Sequence, residues 1–331
     1  MRWVRFLLWF VLAIGVLWGG YWFVGARALE QGARAWFADQ KAAGLVADNS
    51  AVTVAGFAGR FDLTITDPHL ADPVSGWGWQ APFVQILAMT WKPWHVIAAL
   101  PPTQVIHAPD GQDVTVASTR LMASVMMQPT PALPLKRAVV EGDGLSLSSS
   151  DGWRLGLDKV VLAAENVDTQ ANTLRIGADV GTLTLPQAYA NLPDLGPALS
   201  ALHLDANVTL SQPIDRSLTN PQLLGVTLTQ FHITWGEVDL TATGEVKPDA
   251  QGFASGQIDL HLKGWQSLPA AAVALGLVPP TNEETIRRGL EFLAKASPDP
   301  EVISLPLTLA DGQMSLGFIP LGPAPALGVQ P

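Results

Sequence analysis

The chain of 331 residues contains no cysteine. Disulfide bonds, thiolate nucleophiles and cysteine-ligated metal sites are therefore excluded. Charged residues are also scarce, at 15% of the chain, and the 29 acidic residues outnumber the 19 basic ones. A net charge of −10 provides no electrostatic attraction for nucleic acid, so we expect no nucleic-acid partner.

Long apolar runs are missing except at the N-terminus. Residues 6–24 carry no charge, and at about 1.5 Å per helical residue the run is roughly 28 Å long. The hydrocarbon core of a bilayer is about 30 Å thick, so this run predicts a transmembrane helix. We expect Phe6, Trp9, Trp18 and Trp22 to anchor it, the last two near the far membrane interface.

Two alternatives to an uncleaved signal anchor are a cleaved secretory signal peptide and a buried core helix. The segment 24–26 offers small residues at a possible cleavage site. The apolar run is nevertheless longer than the roughly 7–15 residues of a typical signal peptide. Arg2 and Arg5 favour a cytoplasmic location for the N-terminal residues 1–5. These features predict a single-pass protein of the bacterial inner membrane with the bulk of the chain in the periplasm.

The hydrophobic pattern beyond the span predicts an amphipathic helix over residues 25–44. Leu29, Ala33, Trp36 and Phe37 recur at helical spacing and share one face. This face is expected either to pack on the first strands or to lie on the membrane or on a partner.

Alternation of apolar and polar residues then dominates residues 45–322, which predicts a periplasmic β-rich domain. The clearest strands are 202–210 and 258–262, each with one apolar and one polar face, as is typical of antiparallel sheets. Two helical patterns at 267–278 and 282–296 interrupt the strands. The expected fold class is therefore mainly β. An N-terminal transmembrane helix is followed by a long, curved, mostly antiparallel β-sheet domain, with a C-terminal helix pair packed on it.

Turns and boundaries follow from proline and glycine. Residues 58–60 and 311–312 are expected to form hairpin turns. The proline-rich stretch 128–134 is the best candidate for an interdomain linker, although loops inside a single β domain have the same composition. Residues 323–331 predict a loose tail, because proline cannot donate to a strand ladder.

No catalytic constellation emerges from the polar residues. The six histidines occur at no metal-ligand spacing, and residues 144–148 lack the final glycine of a nucleophile elbow. We therefore expect no catalytic residue, no metal, no cofactor and no enzymatic activity. A periplasmic hydrolase is the weakest alternative, and a structural or interaction subunit of an inner-membrane complex is the stronger one.

The candidate binding site is the apolar face of the predicted sheet. Its members alternate with polar neighbours, and they are Leu202, Leu204, Val208, Phe231, Trp235, Ile258 and Leu260. These side chains are expected either to fill a core or to line a groove. The groove would bind lipid or another apolar ligand.

Several short motifs resemble the DUF2125 family, an uncharacterised group of alphaproteobacterial proteins. They are Gly56-Phe57, Arg60–Leu63, Trp79–Pro82, Pro93–Ala98, Leu305–Leu307 and Leu321–Pro323. The resemblance covers most of the chain and implies an inner-membrane or exported location, without implying an activity. A looser similarity of architecture links the chain to AsmA-like envelope proteins, whose sheets form apolar grooves for lipid. Such a likeness of architecture does not by itself fix function.

Overall fold

The computed structural model describes residues 2–189, 192, 195–276, 278–297, 299–317 and 319–327. Strands hold 50% of the chain and helices 22%, which confirms the mainly β fold class. The chain divides into two compact units. Unit 1 comprises residues 1–127 and 147–151, and unit 2 comprises 128–146 and 152–331. This differs from the single domain expected over 45–322, and the boundary lies at the start of the proline-rich stretch 128–134.

One continuous helix, α1, runs from Arg2 to Ala42. The sequence predicted a membrane helix over 6–24 followed by a separate helix over 25–44. The two merge because no proline separates them, and a glycine inside a helix costs only about 1 kcal/mol. At about 1.5 Å per residue, α1 is about 60 Å long. Gly44, with φ of +94°, follows the helix in the left-handed conformation typical of a C-terminal cap.

Unit 1 continues with short strands. They are β1 Val46–Asp48, β2 Ala51–Ala55, β3 Arg60–Thr66, β4 His69–Ala71, β5 Gly78–Gln80, β6 Phe83–Met89, β7 Lys92–Ala99, β8 Thr103–His107, β9 Asp113–Ala117 and β10 Arg120–Met127. Antiparallel pairing links β2-β3-β6-β7-β10 in one ladder and β1-β4-β5-β8-β9 in another. Consecutive strands such as β3 and β4 are therefore two halves of one long, interrupted strand.

Prolines occupy three of the five interruptions between these strand halves. Pro68, Pro82 and Pro102 have no backbone N–H to donate to a ladder. Their carbonyls still accept: the Asp67 N–H donates to Pro82 at 2.9 Å, and the Ser118 N–H donates to Pro102 at 2.8 Å. The neighbouring interrupted strands thus remain hydrogen-bonded through the breaks.

The C-terminal half of α1 packs on this sheet. Phe37 lies in a buried cluster with Ala47, Val52, Leu63 and Ile65. Of the two roles expected for the apolar face of residues 25–44, the structure shows the packing on the first strands.

Unit 2 holds the longer strands and two further helices. In chain order they are β11 Leu135–Ser149, which ends in unit 1, β12 Arg154–Asn166, β13 Thr173–Val180, β14 Leu183–Thr184, β15 Ala198–Leu210, β16 Leu223–Trp235, β17 Val238–Pro248, β18 Ala254–Lys263, α2 Leu268–Ala274, α3 Glu283–Ala296, β19 Val302–Ala310, β20 Gln313–Leu316 and β21 Ile319–Pro323. From β12 to β21 the strands pair antiparallel in chain order, except that short β14 lies beside both β12 and β15. The predicted helix pair and both predicted hairpins are confirmed.

The end of the chain is more ordered than the loose tail expected over 323–331. Ala324 is only 4% exposed. The Ala254 N–H donates to the Pro325 carbonyl at 2.8 Å, and the Leu327 N–H donates to Gly252 at 2.9 Å. Proline can still accept a hydrogen bond, and this is how the segment holds to unit 2. Residues 328–331 lie outside the described residues.

Candidate functional site

The predicted apolar strand residues lie on one face of the unit 2 sheet. Strand register aligns them in rows: Leu202, Ile233, Leu240, Leu262 and Ile303 form one row, and Leu204, Phe231, Ala242, Leu260 and Leu305 form the next. Ile258 pairs with Leu307, and Val208 pairs with Val226, in two further rows. The aliphatic side chains therefore form a continuous surface across five strands.

This surface is only partly covered within the described structure. Each of the seven side chains proposed from sequence (Leu202, Leu204, Val208, Phe231, Trp235, Ile258 and Leu260) is half-buried, and none is fully buried. Apolar groups held in this state have lost only part of their contact with water. The face can therefore gain further stabilisation from an apolar partner, at about 25 cal/mol per Å² of apolar area removed from water.

An apolar cavity of about 270 Å³ lies between this face and the helices α2 and α3. Trp235 and Leu260, two of the seven predicted residues, line it together with Leu240. Leu268 of α2 and Leu290 of α3 close the other side. Every described side chain that lines the cavity is apolar. Its volume is close to the lower end of the roughly 300–1,000 Å³ typical of ligand pockets.

Local sequence explains why the helices cover this part of the sheet. Gly264 turns the chain with φ of +68°, where an added Cβ would lie 2.0 Å from the Glu237 carbonyl oxygen. Trp265 then enters a buried cluster with Leu293 of α3 and Ile303 of β19. Because glycine alone fits this close approach, the position of the helix pair is set where β18 ends.

Unit 1 holds a second apolar cavity, of about 540 Å³, between α1 and the strands β3 to β6. Leu29 and Trp36 of α1 line one side, and Leu63, Trp79 and Ile86 line the other. The sequence indicated the apolar helical face, but it did not indicate this cavity. Finding it requires the packing distance between α1 and a sheet whose strands come from distant parts of the chain.

The opposite face of the unit 2 sheet is polar and carries histidines. His203 and His232 are cross-strand neighbours. His203 Nδ1 lies 2.6 Å from Asp179 Oδ1, and His232 Nε2 lies 2.7 Å from Asp239 Oδ2. Thr234 Oγ1 contacts the same Nε2 atom at 3.2 Å. A nucleophilic triad needs its base to use two different ring nitrogens, so this geometry does not form one.

Electrostatics on this face stabilises charged carboxylates. The hydrogen bond from His232 holds the pKa of Asp239 below its usual value, despite partial burial. A two-pronged contact from Arg175 does the same for the pKa of Asp205, with N–O distances of 2.8 and 2.5 Å. Among the residues that the structure describes, no group of three or more histidines and carboxylates is arranged to hold a metal ion.

The predicted anchor residues divide into two pairs. Phe6 and Trp9 are 71% and 67% exposed on a helix that is long and apolar enough to cross a membrane. Trp18 and Trp22 instead contact the turn from β2 into β3. The Trp18 indole N–H donates to the Ala58 carbonyl at 3.0 Å, and Trp22, only 7% exposed, donates to Arg60 at 2.7 Å.

These features define a mainly β protein with apolar sheet faces and one N-terminal helix able to span a membrane. The chain belongs to the DUF2125 family, described as "Uncharacterized protein conserved in bacteria", whose model matches residues 22–325. The family resemblance seen in the short motifs is thereby confirmed. The match begins at Trp22, within the part of α1 that packs on the unit 1 strands. No curated protein and no solved structure matches the chain.

Proposed function

We propose that this protein is a non-enzymatic, membrane-anchored envelope protein that binds lipid acyl chains on the apolar face of the unit 2 sheet. The N-terminal helix holds it in the bacterial inner membrane, and residues 28–331 lie on the periplasmic side. Arg2 and Arg5 ahead of the apolar run support this orientation, because basic residues favour the cytoplasmic side.

The observation that carries the proposal is the partly covered apolar face beside a cavity with only apolar walls. A contiguous apolar surface that stays partly uncovered favours binding of a partner or ligand. A site without polar groups offers nothing to orient or activate a reacting atom, so it suits binding better than catalysis. A linear acyl chain matches both the aliphatic rows and the absence of polar lining.

The test uses the full chain in mild detergent and the fluorescent fatty acid cis-parinaric acid. Leu240→Trp should partly fill the cavity and weaken binding by about tenfold, which corresponds to about 1.4 kcal/mol. Thr243→Trp, in the same strand but exposed on the opposite face, is the matched control and should bind as the wild type does. Melting temperatures should confirm that both variants fold.

Mass spectrometry of lipid extracted from the purified wild-type protein provides a second readout. We expect phospholipid to be retained in near-stoichiometric amount. Equal binding by the two tryptophan variants, together with lipid-free wild-type protein, would contradict the proposal. That result would favour a structural or interaction subunit of an inner-membrane complex.

A further inference from the structure

We propose that two loop tips of unit 1 insert into the membrane interface beside α1. The protein would then contact the bilayer through these tips as well as through the membrane-spanning part of α1. The first tip joins β2 to β3 and contains Phe57, and the second joins β6 to β7 and contains Trp91. The inference rests on the membrane anchoring in the proposed function and is independent of acyl-chain binding in unit 2.

The exposed N-terminal part of α1 is too short to cross a bilayer without bringing the loop tips to the membrane. Every large apolar side chain from Trp3 to Leu17 is at least 49% exposed, and the hydrogen bonds of α1 to the unit 1 sheet begin at Trp18. The stretch from Arg2 to Leu17 is therefore the free part, and it is only about 24 Å long at 1.5 Å per residue. The hydrocarbon core is about 30 Å thick, so this part cannot cross it alone.

The rest of the span must come from residues that lie beside the loop tips. The uncharged run continues to Val24, six residues beyond Trp18, which is about 9 Å along the helix axis. Since the Trp18 indole hydrogen-bonds to the first tip, that tip lies well inside the end of the apolar run. A bilayer that covers the run therefore also covers the tips.

The composition of the tips suits this depth. The side chains of Phe57 and Trp91 are 63% and 59% exposed, and the neighbouring Met89 is 43% exposed. Neither tip carries a charge between its flanking strands, and each is followed directly by a basic residue, Arg60 after the first tip and Lys92 after the second. Aromatic side chains with basic residues beside them are typical of membrane interfaces.

The backbone of the tips is also prepared for a poorly hydrated environment. Three carbonyl groups receive a hydrogen bond from an aromatic side chain of α1: Ala58 from Trp18, Thr90 from Tyr21 and Arg60 from Trp22, at 3.0, 2.8 and 2.7 Å. Unpaired backbone groups are costly in hydrocarbon, so loops enter a membrane only where such groups are satisfied. The two tips also bond to each other, because the Thr90 N–H and Oγ1 both donate to Gly59.

The absence of cysteine allows a direct test with single-cysteine variants of the full chain. Phe57→Cys, Trp91→Cys, Val74→Cys and Leu12→Cys would each carry an environment-sensitive fluorophore in nanodiscs of phosphatidylethanolamine and phosphatidylglycerol. Val74 is 96% exposed in the loop between β4 and β5, at the other end of the unit 1 strands, so it is the aqueous control. Leu12 lies in the free part of α1 and reports on anchoring.

We expect labels at 12, 57 and 91 to be quenched by nitroxide-bearing lipids and protected from iodide, with the label at 74 behaving oppositely. Suppose that iodide quenches the labels at 57 and 91 as strongly as the label at 74, while the label at 12 stays protected. That result would overturn the insertion of the loop tips and leave membrane anchoring by α1 intact. Iodide quenching of the label at 12 as well would overturn both the membrane anchoring by α1 and the insertion of the loop tips. Phospholipid binding by unit 2 is measured separately and does not affect either outcome.

Discussion

Single glycines decide how closely the unit 2 strands approach. At Gly244 in β17, an added Cβ would lie 2.2 Å from the Gln257 carbonyl oxygen and 2.6 Å from the Ile258 Cα, both in the backbone of β18. These atoms cannot move without breaking the ladder between the two strands. The position is therefore closed to any larger residue.

We predict that Gly244→Ala lowers the free energy of unfolding of the protein by about 3 kcal/mol, because overpacking of a close contact is relieved only by backbone displacement. Gly177→Ala in β13 is the control: there the nearest atom to the added Cβ is 3.9 Å away. Urea unfolding followed by tryptophan fluorescence measures both. An equal effect of the two substitutions would show that the loss of glycine flexibility, rather than the close approach, matters.

Among the elements, α1 shows most clearly how a helix is fixed to a sheet. Gly25 lies against the ring of Phe61, where an added Cβ would be 2.7 Å from the ring. Phe61 is 5% exposed and packs between Tyr21 and Trp22 of the same helix, so its ring has little room to move. The close packing of α1 on Phe61 therefore depends on glycine, which has no side chain, at position 25.

Replacing Gly25 by leucine should push α1 away from β3 and break the hydrogen bond between Trp22 and Arg60. We expect a loss of about 1–3 kcal/mol, partly offset by the roughly 1 kcal/mol better helix propensity of leucine. Gly20→Leu, at a position with nothing within 4 Å, should be neutral or stabilising. Thermal unfolding of both variants in the same detergent tests this, and a destabilised Gly20→Leu would refute the steric argument.

The elements also show what could be predicted from sequence. The strands 202–210 and 258–262 and the α2–α3 pair were predictable because their hydrophobic periods are local. The burial of Trp22 was not, since its partners Ala26 and Phe61 combine a helix neighbour with a residue from a distant strand. For the same reason, the sequence indicated the apolar face but not which of its residues line the cavity. Trp235 and Leu260 line it, and Leu204 does not. Long-range register and helix placement decide that distinction.

At the scale of the whole molecule, the position of the chain relative to the membrane is the testable property. We predict that residues 28–331 lie on the periplasmic side. Alkaline phosphatase fused to the C-terminus should be active, because it folds only after export, and a fluorescent reporter that needs the cytosol should be dark. The charge-reversed variant with Arg2→Glu and Arg5→Glu should lower the phosphatase activity. A bright cytosolic reporter on the wild-type chain would reverse the assignment.

An unbroken α1 has a mechanical consequence. A helix with no hinge between its exposed apolar half and its sheet-packed half acts as a lever, so a tilt of the exposed half would be transmitted to the strands of unit 1. Hydrophobic mismatch between a span and its bilayer is commonly relieved by tilting. In a thinner bilayer the helix would lean further, and the strands of unit 1 would lean with it. Membrane thickness would then set the tilt of the unit 1 sheet relative to the bilayer.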